Sequence, residues 1–352
     1  MKTYLIGETA YNHEGNFNYL KKMTVELAEL KVNAVKFHLL LKPESYIIEK
    51  HPLFAEIKKW TFSKEQWSEL FDFAATSNQD VVALCDDVES LEFINQEHPG
   101  IHAVELHASG LNDFHLLMEA SKFPGLIILG VGGSTLDEIQ YALELLRKEG
   151  KTTILLMYGF QSYPTNYAVI NLSKMLKLQQ LFELPVGYAD HTAYDDPNNV
   201  TISCMAAMMG IPILEKHYTP DFGVERIDYH AAVGKEQMKQ IQTLMELALT
   251  VYGNGSLEMG EAEKKYGNTG PMKKAIVAAH DIHCGEILSP DNLVFKRTIA
   301  ESPVKQQEFP RLCGLKANKE VKRDELVTFN DVEYSFEELN AEDFTNVKRD
   351  EK

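Results

Sequence analysis

Hydrophobic positions over the first 255 residues alternate between two patterns. Eight short apolar runs occur at Tyr4–Ala10, Asn33–Leu39, Asp80–Asp86, His102–Ala108, Gly125–Val131, Thr152–Tyr158, Leu184–Asp190 and Ile211–Tyr218. They are rich in Val, Ile and Leu, which predicts strands buried on both faces. Between them lie stretches of helical period. Phe17–Lys31 carries Leu20, Met23, Leu27 and Leu30; Thr135–Lys148 carries Leu136, Ile139, Leu143 and Leu146; Gln237–Tyr252 carries Met238, Ile241, Met245 and Ala248. Eight strand–helix units in this length predict an α/β fold, a (β/α)8 TIM barrel over residues 1–255. The rival, an open doubly wound sheet, starts with a Gly-rich first turn, and the segment Gly7–Gly15 is not GxGxxG.

The pattern changes after Gly253-Asn-Gly-Ser256. Residues 256–272 read as a polar linker, residues 273–336 as short strands with little helix, and residues 337–352 as a charged, frayed tail. Within 273–336, Asp281–Leu293 and Glu320–Val332 correspond position by position in residue type. The expectation is a small β-rich domain of two related halves.

Composition narrows the partners. The chain has 352 residues, 44% hydrophobic and 25% charged, with a formal net charge of −17. That charge argues against nucleic acid and against an anionic membrane surface. It does not exclude a small anionic substrate in a local basic pocket. The N-terminal apolar run is too short for a signal peptide, and no stretch reaches membrane-helix length. Cys85, Cys204, Cys284 and Cys313 form no CxxC pair. A cytoplasmic protein without disulfides or a Cys-based zinc site is expected.

In such a barrel the strand C-termini form the active face. Those positions hold Glu8, Asn12, His13 and Glu14; Lys36 and His38; Cys85, Asp86 and Asp87; Glu105 and His107; Gly132-Gly-Ser134; Tyr158, Gln161, Tyr163 and Thr165; Asp190 and His191; Glu215 and His217. A lone strand-end His is more often structural than a ligand. Two at equivalent ends of adjacent strands shift the balance toward a shared divalent cation. Glu8 reads either as an ion-pair partner of Lys36 or as an acid/base group, with Lys36 an anion clamp or amine catalyst. Glu215 and Lys216 alternate in direction, so one of them points out toward the helices. Gly132-Gly-Ser134 is either a phosphate-binding turn or a plain turn and N-cap.

These residues carry a family resemblance. Glu8-Thr-Ala-Tyr-Asn-His-Glu-Gly15 resembles the Glu-x-Gly-x-Asn-His-x-Gly motif of sialic acid synthases. Ala34-Val-Lys-Phe-His38 resembles their Val-Lys-Phe-Gln, and Tyr163-Pro-Thr165 the segment after strand 6. Gly187-Tyr-Ala-Asp-His-Thr192 and Leu214-Glu-Lys-His-Tyr-Thr219 resemble their Gly-Tyr-Ser-Asp-His-Thr and Leu-Glu-Lys-His-Phe-Thr. Residues 273–336 look like the antifreeze-like (SAF, β-clip) domain that ends these enzymes. The resemblance implies metal-dependent condensation of phosphoenolpyruvate with an N-acylated hexosamine. His191 and His217 would hold the metal, Mn²⁺ first, with Mg²⁺, Co²⁺ or Zn²⁺ also compatible. Glu8 would be a catalytic carboxylate, and Lys36 would bind the phosphoenolpyruvate anion. Asn12, His13, His38, Gln161, Tyr163, Thr165, Asp190 and Asp228 would line the substrate site. Arg297 would reach the active site of the other subunit in a domain-swapped homodimer.

The departures lie at the family's donor-phosphate positions. Leu84-Cys-Asp-Asp87 stands for Ser/Thr-Thr-Pro-Phe. Glu105, Ala108 and Gly110 replace a Lys, a Ser and a Glu on strand 4, and Gly130 stands for a Ser on strand 5. A Glu in place of Lys reverses a charge facing a trianion, worth about 4 kcal/mol at contact with an effective dielectric near 20. Three readings follow: a divergent synthase; a metal-dependent aldolase or lyase with another donor; or a non-catalytic sugar-binding relative. Retention of Glu8, Lys36, His191, His217 and Arg297 as a set argues against the last.

Overall fold

The computed structural model describes residues 2–162, 165–267 and 269–334. The chain divides after Gly255 into two compact units. The first is the expected barrel: eight parallel strands close in chain order. They are β1 Tyr4–Glu8, β2 Ala34–Leu39, β3 Asp80–Cys85, β4 Ala103–Leu106, β5 Leu126–Gly130, β6 Ile154–Tyr158, β7 Val186–Asp190 and β8 Ile213–His217. Each apolar run contains one strand, and no boundary moves by more than two residues. The periodic segments are helices Phe17–Glu29, Leu136–Lys148 and Lys235–Tyr252.

Strand alternation sorts the side chains into two sets. One set, including Val35, Phe37, Val104, Leu106, Leu129 and Leu214, packs under the helices in a single apolar cluster. The other fills the barrel lumen with Ile6, Ala34, Val82, Ala103, Ile128, Leu155 and Met157. Two residues further along the same inward face, apolar gives way to charged. Glu8 follows Ile6, Lys36 follows Ala34, Glu105 follows Ala103 and Glu215 follows Ile213. All four are buried.

The strand ends on the β5–β7 side are packed backbone to backbone. A Cβ on Gly132 would fall 1.6 Å from the Gly159 carbonyl oxygen, and one on Gly159 would fall 2.0 Å from that of Ala189. The helix that follows Gly132-Gly-Ser134 is closed by a capping box. Thr135 Oγ1 accepts from Glu138 N, and Thr135 N donates to Glu138 Oε2 at 2.7 Å. The turn and N-cap reading is thus met: the amides of Thr135 and Glu138 are satisfied within the box.

In the second unit, Lys274–Ala278 pairs antiparallel with Leu293–Arg297, and Lys316–Ala317 with Val332–Glu333. The internal repeat is visible in its hydrogen bonds. His283 N donates to Glu286 and Lys322 N to Glu325; Ser289 N donates to Asn292 and Thr328 N to Asp331. Ile282 and Val321 join the halves by exchanging both backbone bonds. A single apolar core is built from both, with Ile282, Leu288 and Leu293 meeting Val321, Val327 and Val332. The charged tail 337–352 lies outside the described residues. Among the described residues no helix is long and apolar enough to cross a membrane. All four cysteines are free.

Gly132→Ala should destabilise the barrel by about 1–3 kcal/mol, because the added methyl collides with backbone that cannot yield. Urea unfolding of wild type and variant measures this, and equal midpoints would contradict the close approach.

Candidate active site

The inward positions at the strand C-termini form one buried polar cluster. Lys36 Nζ lies 2.9 Å from Glu105 Oε1, 2.9 Å from Glu215 Oε2 and 3.6 Å from Glu8 Oε1, with 2% of its side chain exposed. Glu8 turns its other contacts to histidines: His38 Nε2 at 2.6 Å and His217 Nε2 at 3.1 Å. The ion-pair reading of Glu8 and Lys36 holds, and both sit where chemistry is expected.

Three carboxylates and one ammonium cannot all be ionised without net buried charge. Burial alone would raise Glu8, but Lys36 and then His217 outweigh it and hold that carboxyl well below the usual range. Burial pushes Glu215 well above the range, and the charge on Glu8 adds to this. Burial also raises Glu105, against the pull of Lys36. Burial works against the Lys36 ammonium, yet Glu105, Glu215 and Glu8 together raise it. The hydrogen bond to Glu8 raises His38 against its burial. The surroundings thus favour the charged form of Glu8 and the protonated form of Glu215.

The two strand-end histidines come together. The His191 and His217 ring centroids are 4.9 Å apart at 75°. His191 Nδ1 lies 3.1 Å from the Ala189 carbonyl, which can only accept, so Nε2 is left with the lone pair. Glu8 Oε2 accepts a hydrogen bond from His217 Nε2, and the buried Nδ1 of His217 has no partner among the described residues. Burial, then His217, lower His191 to about 3, so its imidazole is neutral near pH 7. Neutral imidazoles whose other nitrogen is held by a carbonyl or carboxylate are the arrangement metal-binding histidines adopt. Two cis imidazoles on one ion, with bonds near 2.1 Å, need centroids about 4.5–5.3 Å apart. The pair fits a divalent cation whose remaining positions go to water or substrate. Among the described residues no group of three or more His, Cys, Asp and Glu could hold one.

The other expected site residues divide into those near this centre and those elsewhere. Asn12 is fully buried, and neither polar atom of its side chain has a partner, as suits a residue that waits for a ligand. Its loop leaves β1 through Ala10 at φ 44°, the position of the Gly in the resembled motif. Tyr11 packs edge-on against His38 at 5.0 Å and donates to Asp86 Oδ2 at 2.8 Å. Asp228, itself at φ 62°, accepts from Tyr11 N at 3.2 Å, so the loop after β8 reaches the loop after β1. The buried His13 ring accepts from Gly15 N at 3.0 Å and packs on Phe62, a local structural role. Thr165 Oγ1 donates to the His191 carbonyl at 3.1 Å. Gln161 is exposed in the loop after β6, and Tyr163 lies outside the described residues. Arg297 is the exposed last residue of the strand Leu293–Arg297 of the second unit and contacts Met272 there.

Two expectations need correction. Asp190 does not face the substrate side. It follows the outward positions Val186 and Tyr188, and it pairs with Lys216 at 2.6 Å in the helix layer. Lys216, then, is the outward member of the Glu215/Lys216 alternation. Lys36 is not a free anion clamp, because its ammonium is already surrounded by three carboxylates. Glu105 and Glu215 belong to the centre beside it. The period-2 pattern that places Ile213 and His217 inward signals Glu215 as well.

The NeuB family model matches residues 25–256, and the SAF domain model matches residues 273–333. The chain is 28% identical over 342 residues to the N,N'-diacetyllegionaminic acid synthase of Campylobacter jejuni, covering 93% of this chain and 99% of that one. It is 22% identical over 334 residues to a pseudaminic acid synthase of the same species, covering 91% and 94%. The crystal structure of N-acetylneuraminic acid synthetase from Leptospira borgpetersenii, in complex with citrate, superposes with a TM-score of 0.69 at 26% identity, covering 75% of this chain and 90% of that one.

Lys36→Met removes the ammonium that offsets three buried carboxylates and should cost about 3–5 kcal/mol near neutral pH. Burial already raises Glu105 and Glu215, and without the ammonium nothing offsets it, so the variant loses stability as pH rises from about 4.5. Urea unfolding at about pH 5 and about pH 8 should show the larger penalty at the higher pH. A penalty equal at both would contradict the charge balance described.

Proposed function

This chain belongs to the NeuB family, and on that premise we propose that it condenses phosphoenolpyruvate with an N-acylated hexosamine, or its phosphate. The product is a nonulosonic acid and the by-product inorganic phosphate. Relatives that align over nearly the whole chain are nonulosonic acid synthases. The observation that supports the metal part is the histidine pair: His217 Nδ1 has no partner among the described residues, and His191 Nε2 keeps its lone pair because Nδ1 donates to the Ala189 carbonyl. A divalent cation held by His191 and His217, Mn²⁺ first, supplies Lewis acidity toward the aldehyde oxygen of the open-chain sugar.

The chain's own residues do the rest. Glu8 fixes the His217 ring through Nε2. Glu215, whose carboxyl burial pushes well above the usual range, can give a proton to the oxygen of the attacked aldehyde. The bond that forms joins the enol carbon of the donor to the aldehyde carbon. Water then adds at C2 of the donor, and the C–O bond to phosphate breaks. Asn12 and Asp228 offer hydrogen-bonding groups to the sugar. Arg297 from a second copy, in a domain-swapped dimer, belongs to the same proposal.

One observation favours a second reading, a metal-dependent aldolase or lyase with a less anionic donor such as pyruvate. The Lys36 ammonium is already met by Glu105, Glu215 and Glu8. A donor trianion there must displace carboxylates that repel it. In the aldolase reading the pyruvate methyl loses a proton, its carbon bonds to the aldehyde carbon, and no phosphate leaves.

With Mn²⁺, phosphoenolpyruvate and an N-acyl hexosamine, the protein should release inorganic phosphate. No release with any of several acceptors, alongside aldol product from pyruvate, would decide for the second reading. His191→Ala and His217→Ala should each lose bound metal, as read by metal analysis of the purified protein. Unchanged metal content in both would remove the site.

A further inference from the structure

Resting on the metal reading above, we infer that the buried Asp190–Lys216 ion pair is a positioning device that sets the separation of His191 and His217. Asp190 immediately precedes His191 at the end of β7, and Lys216 immediately precedes His217 on β8. Strand alternation sends the charged pair out toward the helices and the two imidazoles the other way. The β7–β8 backbone ladder ends at the pairing of Asp190 with Lys216. His191 therefore lies one residue beyond the last backbone tie between the two strands, and at that point the side-chain pair grips the chain together with Thr165 Oγ1 on the His191 carbonyl and Asn199 Nδ2 on the Thr192 carbonyl.

The grip is over-determined. Lys216 Nζ donates to Asp190 Oδ2 at 2.6 Å and to the Thr192 carbonyl at 3.3 Å, with the two side chains 0% and 1% exposed. Asp190 Oδ1 also accepts from Tyr188 OH at 2.9 Å, Thr192 N at 3.0 Å and Thr192 Oγ1 at 2.6 Å. Asp190 Oδ2 accepts from Ser203 Oγ at 2.6 Å, on the helix Asn199–Met208. Lys216 and Asp190 thus hold Thr192 from both sides, so the residues flanking His191 are fixed to β8 and to a helix at once. A buried ion pair adds little stability over apolar side chains of the same shape. Stability alone does not explain why one sits here, whereas a fixed geometry for the neighbouring histidines does.

Two variants test this. Asp190→Asn with Lys216→Met removes both charges while keeping side-chain size. Ser203→Ala leaves the pair but cuts its tie to the helix. Metal-free proteins would be titrated with Mn²⁺ by calorimetry, their folding checked by urea unfolding, and their Co²⁺ forms compared by visible absorption. The double variant should bind Mn²⁺ about 10–100-fold more weakly and show a shifted Co²⁺ spectrum. Ser203→Ala should weaken binding several-fold with the fold intact. Wild-type affinity and an unshifted spectrum in Ser203→Ala would overturn the inference, even if the double variant does not fold. Loss of metal in His191→Ala and His217→Ala with no change in these variants defeats the positioning role alone. Retention of metal in the histidine variants defeats the metal reading itself.

Discussion

Charge neutralisation inside the barrel is the constraint on which the upper half of the molecule depends. Glu8, Glu105 and Glu215 lie on three strands and project into one lumen from which water is excluded. Carboxylates so placed repel one another at energies that would unfold a domain of ordinary stability. Lys36 answers one of them with an ammonium, and the raised affinity of Glu215 and Glu105 for protons answers the remainder. The histidine pair inherits its order from this balance, since the ionised Glu8 is the group that turns His217.

Much of this was legible in the chain. Eight Val/Ile/Leu-rich runs separated by helical stretches leave little freedom for a domain of this length, and the strand ends follow directly. The inward set was legible too, because period 2 carries Ile6 to Glu8 and Ile213 to Glu215 and His217. The same rule, applied to β7, sends Asp190 outward with Val186 and Tyr188. A motif that places Asp190 beside His191 conceals this, since adjacency in sequence is opposition in a strand.

What the chain did not disclose was how the charges pair. Lys36 can face a ligand or a carboxylate from the same backbone position. Only the meeting of four strands shows that Glu105 and Glu215 reach it first. Sequence separation is the reason: residues 8, 36, 105 and 215 belong to strands whose proximity exists only once the barrel has closed. Gly132-Gly-Ser134 is the opposite case. Its role is local, and Thr135 with Glu138 already spelled a capping box at the spacing a helix start requires.

The glycine contacts at the ends of β5 and β6 divide the mouth of the barrel into unequal halves. There, backbone lies against backbone, and no side chain of any kind fits between Gly132, Gly159 and the Ala189 carbonyl. On the other rim the loop after β1 meets the loops after β8 and β3 through side-chain hydrogen bonds, Tyr11 N donating to Asp228 and Tyr11 OH to Asp86. The close-packed backbone arc and the arc joined by side chains therefore lie on separate strands, and a change of side chain on the second leaves the first intact.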